Sequence, residues 1–154
     1  MGLERQDVEN RTPMGVSFEV FIKEVAAKAK LNIMVKGPDM VVVPWDISEG
    51  RKQNTFVRPM GTTGMGLVVS FFSPARKIAT GTEVDAKMAL DLLRKNARIP
   101  HGSWCIASVA GEEYLGVRDA RLAHTMQPDE FYASALAVAR LADELEKQLG
   151  GDSY

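Results

Sequence analysis

The segment from Leu93 to Leu149 decides the fold: LRKNARIPHGSWCIASVAGEEYLGVRDARLAHTMQPDEFYASALAVARLADELEKQL. Its hydrophobic periodicity predicts the end of a helix, two strands joined by a tight turn, and a long amphipathic helix. The two expected strands are Ser103–Ala110 and Glu113–Val117, with the turn at Gly111-Glu112, and Ala120–His124 would continue the second strand past a bulge near Arg118-Asp119. A turn this short implies antiparallel pairing.

The first part of the chain extends this layout. A helix is expected from about 13–17 to Lys30, opened by Thr12-Pro13 or by Ser17, and a second from Thr82 to about 97. Apolar runs predict strands near 33–35, 40–45, 51–58 and 67–72. With three strands or so between the first two helices and two strands after the second helix, the order α-β-β-β-α-β-β-α predicts an α+β two-layer sandwich, with an antiparallel sheet of about five strands and three helices.

Length and composition limit the classes of function. A chain of 154 residues suits one domain, expected over 12–150 after a disordered or loosely attached segment 1–11. The net charge of -1 gives no electrostatic case for a nucleic-acid or membrane partner. Cys105 is the only cysteine, so no intrachain disulfide can form. No signal peptide or long apolar run is evident, and we expect a cytoplasmic location.

One glycine-rich motif invites a phosphate-binding interpretation. Gly61–Gly66 resembles a phosphate loop, which needs a following helix and a Lys-Ser/Thr pair. Here the loop precedes a strand, and Leu67-Val68 stands in the place of that pair. The pattern therefore favours a flexible hairpin, and we expect no catalytic residue, cofactor or metal.

A pocket containing His101, Cys105 and His124 is the alternative hypothesis, for a small-ligand binder or an enzyme. These residues could ligate a metal or pair a thiolate with a base, provided that their side chains converge. No Cys/His pair at metal-ligand spacing accompanies them, and Cys105 alternates within a strand between Trp104 and Ile106. That position is typical of a buried, structural cysteine.

A surface for binding another polypeptide is the leading hypothesis. Methionine is common on adaptable binding surfaces, and several methionines here lie near strand ends. Recognition would work either by strand addition at a sheet edge or by seating an apolar partner stretch beside the sheet. The candidate partner-binding residues are Trp45, Phe56, Val57, Met60 and Met65.

The layout resembles the fold of type III secretion chaperones. Within that group, short sequence motifs in 92–149 are similar to those of the YbjN-type family of bacterial sensory transduction regulators. These motifs are Leu92-Leu93-Arg94-Lys95-Asn96, Ile99-Pro100-His101-Gly102-Ser103, Gly111-Glu112-Glu113 and Ala142-Asp143. The resemblance implies a homodimeric, non-enzymatic protein that holds a client polypeptide or tunes a regulatory pathway. It assigns no catalytic residue.

Overall fold

The computed structural model describes residues 15–150 as three helices and one six-stranded sheet. In chain order the elements are helix α1 (Phe18–Lys28), strands β1 (Met34–Gly37), β2 (Met40–Ser48), β3 (Arg51–Thr63) and β4 (Gly66–Ile78), helix α2 (Ala86–Asn96), strands β5 (Ser103–Val109) and β6 (Glu112–Leu122), and helix α3 (Pro128–Gln148). The predicted α+β class is confirmed, with six strands rather than about five. The segment 1–11 and the helix start at Thr12-Pro13 lie outside the described residues.

The sheet has the strand order β1-β2-β3-β4-β6-β5, and every neighbouring pair is antiparallel. Hairpins join β1 through β4, and a fourth hairpin joins β5 to β6. The connection through α2 places β6 beside β4 and leaves β5 at the edge. The sheet edges are therefore β1 and β5.

One face of the sheet is covered by helices. α3 lies across β2, β3, β4 and β6, and α1 packs against α3 and β2. The ring centroids of Phe71 on β4 and Phe131 on α3 are 5.4 Å apart, in an edge-to-face arrangement. The prediction of a long amphipathic helix is confirmed by α3, whose buried apolar face includes Phe131, Ala135, Val138, Ala142 and Leu145.

Helix α1 begins where its sequence offers a cap. Ser17 is the N-cap, and its hydroxyl accepts a hydrogen bond from the backbone N–H of Val20 at 3.3 Å. The exposed pair Glu24–Lys28 lies at 3.6 Å, and such an i,i+4 pair adds only about 0.3–0.5 kcal/mol. Burial of the opposite face, which includes Phe18, Phe21 and Ile22, therefore determines where α1 lies.

Helix α2 begins later than expected, and the prediction that Thr82 is its N-cap was wrong. The cap is Asp85, whose carboxylate accepts from the N–H of Met88 at 2.8 Å. The delay has a local cause, because the Glu83 carboxylate accepts hydrogen bonds from the N–H groups of Ala79, Thr80 and Gly81. Those bonds hold the preceding segment in a turn.

Strand β4 continues past Ser73-Pro74, where the sequence predicted its end. Proline donates no ladder hydrogen bond and normally stays out of central strands. The register shifts between Pro74 and Arg76, so the extra residue of a β-bulge accommodates the ring. The bulge predicted at Arg118-Asp119 was wrong, because the irregularity lies on the β4 side of this strand pair.

Two tight hairpins frame the sheet. The β5–β6 turn is at Ala110-Gly111, one residue before the predicted position, and both residues have positive φ, 53° and 81°. That combination is the type I′ turn typical of two-residue hairpins. The glycine-rich motif forms the β3–β4 hairpin, as expected, and the Thr63 hydroxyl accepts from the N–H of Met65 at its tip.

Candidate functional site

The sheet curls strongly on the face away from α1 and α3. Arg58 of β3 pairs with Ser70 near one end of β4. Ser108 of β5 is connected to the other end of β4, because it pairs with Glu113 of β6, and Glu113 pairs with Ile78 of β4. Along a straight strand Ser70 and Ile78 would lie about 26 Å apart. Yet Nη1 of Arg58 donates a hydrogen bond to the Ser108 carbonyl at 3.1 Å. The β5–β6 hairpin therefore folds back over β3.

Gly116 on β6 permits this curvature. It pairs with Pro74 beside the bulge. A Cβ atom at Gly116 would lie 2.3 Å from the Ser73 carbonyl oxygen and 2.6 Å from Cζ of Phe72. Neither distance is tolerable for a carbon atom, so only glycine fits at this point of closest approach.

The curled face encloses a cleft with a volume of about 270 Å³. Phe72, only 5 % exposed, and Val109 are buried although they lie outside the main hydrophobic cluster, because the two ends of the sheet face each other. The cleft is lined by Phe56, Arg58, Pro59, Met60, Ser70, Phe72, Ala107, Ser108, Val109 and Arg118. It combines an apolar floor with two arginines.

A continuous row of side chains crosses this face. Val42 pairs with Phe56, Phe56 with Phe72, and Phe72 with Arg118, on four neighbouring strands. Directly opposed residues in antiparallel strands lie on the same face with their Cα atoms about 4.5–5.5 Å apart. An apolar strip therefore runs across the sheet and ends at a guanidinium group.

Each arginine of the cleft donates a hydrogen bond through Nη1 to an uncharged group. Arg58 donates to the Ser108 carbonyl, and Arg118 donates to the thioether sulfur of Met60 at 3.2 Å. Within residues 15–150, no carboxylate oxygen lies within 4.0 Å of a guanidinium nitrogen of either residue. The other arginine nitrogens are free to bind an anionic group.

The five predicted partner-binding residues lie on different surfaces. Phe56 and Met60 line the cleft, and Met65 is 70 % exposed at the tip of the β3–β4 hairpin. Val57 is fully buried beneath the helices. Trp45 is half-buried on that same face, where its ring lies edge-on to Tyr132 of α3 at 5.6 Å. Phe56 and Met60 are thus the two that the structure brings together.

His101, Cys105 and His124 do not converge. His101 contacts Ser134 of α3 on the helical face, whereas Cys105 pairs with Gly116 on the opposite, curled face. His124 is exposed after the end of β6. Burial raises the pKa of the Cys105 thiol, which the nearby Arg118 charge only partly opposes. The thiol therefore stays protonated at neutral pH, which is unfavourable for a nucleophile.

A serine, a histidine and an aspartate do meet beneath α3. Asp119 Oδ2 and Ser134 Oγ lie 2.7 Å and 3.3 Å from His101, but both approach the same nitrogen, Nε2. A catalytic triad needs the carboxylate and the hydroxyl on opposite ring nitrogens. Ser134 is also fully buried and accepts from Arg121 Nε at 3.0 Å. This cluster ties β6 to α3.

In the part of the chain that the structure describes, no group of three His, Cys, Asp or Glu side chains is arranged to hold a metal ion.

Sequence reasoning missed Phe72, Val109 and Arg118 as cleft residues. One signal was present, because the run Leu67–Phe72 is apolar at nearly every position. A strand that is apolar on both faces needs cover on both. That pattern could have indicated a second buried surface opposite the helices. It could not indicate that the β5–β6 hairpin covers this surface.

Comparison with known proteins gives no family assignment: no protein-family model matches the chain, and no curated protein matches it. None of the helices among residues 15–150 is long and apolar enough to cross a membrane.

Proposed function

We propose that this chain is a non-enzymatic protein that binds another polypeptide by seating apolar side chains of that partner in the cleft. The observation that carries the proposal is the exposed Met60 at the mouth of an apolar floor formed by Phe56 and Phe72. Pockets that engulf a cofactor usually measure about 300–1,000 Å³. The smaller, open cleft suits one or two side chains of a larger partner. A cytoplasmic setting is part of the proposal.

Seating beside the sheet is favoured over strand addition at β5. The outward-facing Ser108 carbonyl on this edge strand already accepts a hydrogen bond from Arg58. An added strand would compete with Arg58 for that carbonyl. The cleft offers apolar contact without such a cost.

A homodimer completes the proposal, with α2 as the contact surface. Leu90 and Leu93 are 50 % and 63 % exposed on consecutive turns of α2, and Ile106 is exposed on β5, against which α2 packs. A neighbouring hollow has an apolar floor and a rim that carries both Lys95 and Glu144. Across a two-fold axis, Glu144 of one copy can pair with Lys95 of the other, because each copy presents both charges on this rim.

The binding proposal is tested by panning a phage-displayed library of random peptides with the purified protein. Peptides enriched by the wild type should lose binding to Met60→Glu, which places a charge at the mouth of the cleft. They should bind Met65→Glu normally, because that methionine, which is more exposed than Met60, lies at the hairpin tip outside the cleft. Enriched peptides that bind both variants alike would contradict the proposal.

The dimer proposal is tested separately by light scattering. Leu93→Glu should convert a dimer into a monomer, because it introduces a charge into the apolar contact. Val20→Glu is the matched control, an exposed aliphatic residue on α1. A wild type that is monomeric at every concentration would refute the dimer and leave the binding proposal standing.

A further inference from the structure

We infer that the cleft selects partner segments in which a carboxylate side chain follows closely on an apolar one. The inference rests on the proposed function, since it names the chemistry of the segment that the same cleft receives. It is carried by the two guanidinium groups, Arg58 and Arg118, placed on an apolar floor with no carboxylate partner among residues 15–150.

The arginines are positioned for an incoming anion. They donate to a carbonyl and a thioether, both through Nη1, so Nε and Nη2 of each remain available. Arginine is always charged, and its planar group matches a carboxylate with two parallel hydrogen bonds.

The order of the side chains across the sheet sets the order in the ligand. The row runs from Val42 through Phe56 and Phe72 to Arg118. A segment lying along this row places one apolar side chain on the phenylalanines and the next side chain that points into the cleft on the arginine. The complementary charge is therefore negative and lies close to the apolar side chain.

The positions of the two arginines disfavour binding of a basic segment in the cleft. Arg58 approaches the cleft from β3 and Arg118 from β6, so one guanidinium enters from each side. A lysine in the segment would face at least one like charge, and like-charge contacts at an interface are strongly unfavourable.

Three synthetic peptides provide the probes. They share one Val-Phe-Leu core and differ only in flanking residues, which are glutamate, glutamine or lysine. Binding is measured by fluorescence anisotropy at low and high salt. The glutamate peptide should bind about fivefold more tightly than the glutamine peptide, and the lysine peptide more weakly than both. The advantage of glutamate should shrink as salt screens the charges.

Variants assign the preference to the cleft. Arg58→Gln with Arg118→Gln should abolish the difference between glutamate and glutamine peptides while the glutamine peptide still binds. Arg140→Gln removes an exposed arginine from α3, on the other side of the sheet, and should preserve the difference.

The outcomes separate the two proposals. Equal binding of all three peptides would overturn the charge selectivity and leave polypeptide binding intact. If none binds and no cleft resonance shifts in NMR spectra, polypeptide binding itself fails, and the selectivity with it. Binding of dodecanoate more tightly than every peptide would overturn the inference in favour of a lipid-anion site.

Discussion

Asn96, the last residue of α2, pairs with the backbone of Trp104 as a neighbouring strand would. Its Oδ1 accepts from the N–H of Trp104 at 2.7 Å, and its Nδ2 donates to the Trp104 carbonyl at 3.2 Å. Trp104 and Ser108 lie at alternate positions of β5, so their backbone groups point to the same side, away from β6. One side-chain amide therefore fastens α2 to the outer edge of the sheet.

Asn96→Ala should lower the free energy of unfolding by about 1–3 kcal/mol, because it leaves both partly buried Trp104 backbone groups without partners. Urea denaturation followed by circular dichroism measures the loss, and hydrogen exchange should accelerate at the Trp104 amide. Asn32→Ala, at an exposed position before β1, is the control and should be nearly neutral. Equal effects of the two substitutions would refute the role of Asn96.

Thr55→Val should also destabilise the protein by about 1–3 kcal/mol. The Thr55 hydroxyl accepts from Nε1 of Trp45 at 3.0 Å and donates to the carbonyl of Ala135 at 2.7 Å, so it links β2, β3 and α3. Valine keeps the shape but removes both hydrogen bonds. Thermal melting checks this, with the exposed Thr125→Val as a control that should melt like the wild type.

Gly116→Ala should cost about 1–3 kcal/mol of stability and should deform the cleft, because its Cβ would clash with the Ser73 carbonyl and the Phe72 ring. The control is Gly64→Ala at the β3–β4 hairpin, where an added Cβ meets nothing within 4 Å. Denaturation gives the stability change, and the NMR shifts of Phe56 and Val109 report the cleft. Unchanged shifts in a stable Gly116→Ala variant would show that the curvature does not depend on this glycine.

The turn before α2 should depend on acid pH. The backbone N–H of Thr80, with that of Ala79, donates to the Glu83 carboxylate and lowers its pKa from 4.5 to about 2. Because the pKa is lower in the folded chain, this stabilisation is present above about pH 4.5 and is lost as the pH falls through about 2.

The amide resonances of Thr80 and Gly81 should therefore titrate with a midpoint near 2. Glu83→Gln should abolish that transition while leaving the rest of the spectrum intact. A midpoint near 4.5, the ordinary value for glutamate, would show that these hydrogen bonds do not form in solution.

Two of the three helices could be predicted closely because their signals are local. α3 has a long apolar period, and α1 has Ser17 at its start, so both lie close to their expected positions. The extent of β4 could not be predicted in this way. Whether Pro74 ends a strand depends on its neighbour β6, where Gly116 leaves room for the bulge. That information lies more than forty positions away in the chain, counting from Pro74 to Gly116.

The candidate site was only partly predictable for a related reason. In β3 the helix-facing row contains Gln53, Thr55 and Val57, whereas the cleft-facing row contains Asn54, Phe56 and Arg58. Both rows mix polar and apolar residues, so alternation could not tell which one lies beneath the helices. Gln53 can be buried because it donates to the Ser73 hydroxyl at 3.0 Å, a contact that only the folded sheet reveals.

The covered edge at β5 bears on how this protein behaves when it is concentrated. The side chain of Asn96 is hydrogen-bonded to the backbone of Trp104, and that of Arg58 to the backbone of Ser108. Between these two positions, only the outward-facing backbone groups of Ile106 are left to pair with a strand of another chain. The opposite edge, β1, has only four residues and carries Lys36, and short, charged edges resist aggregation. Neither end of the sheet therefore favours fibril growth, and the protein can keep an apolar cleft open without polymerising through its edges.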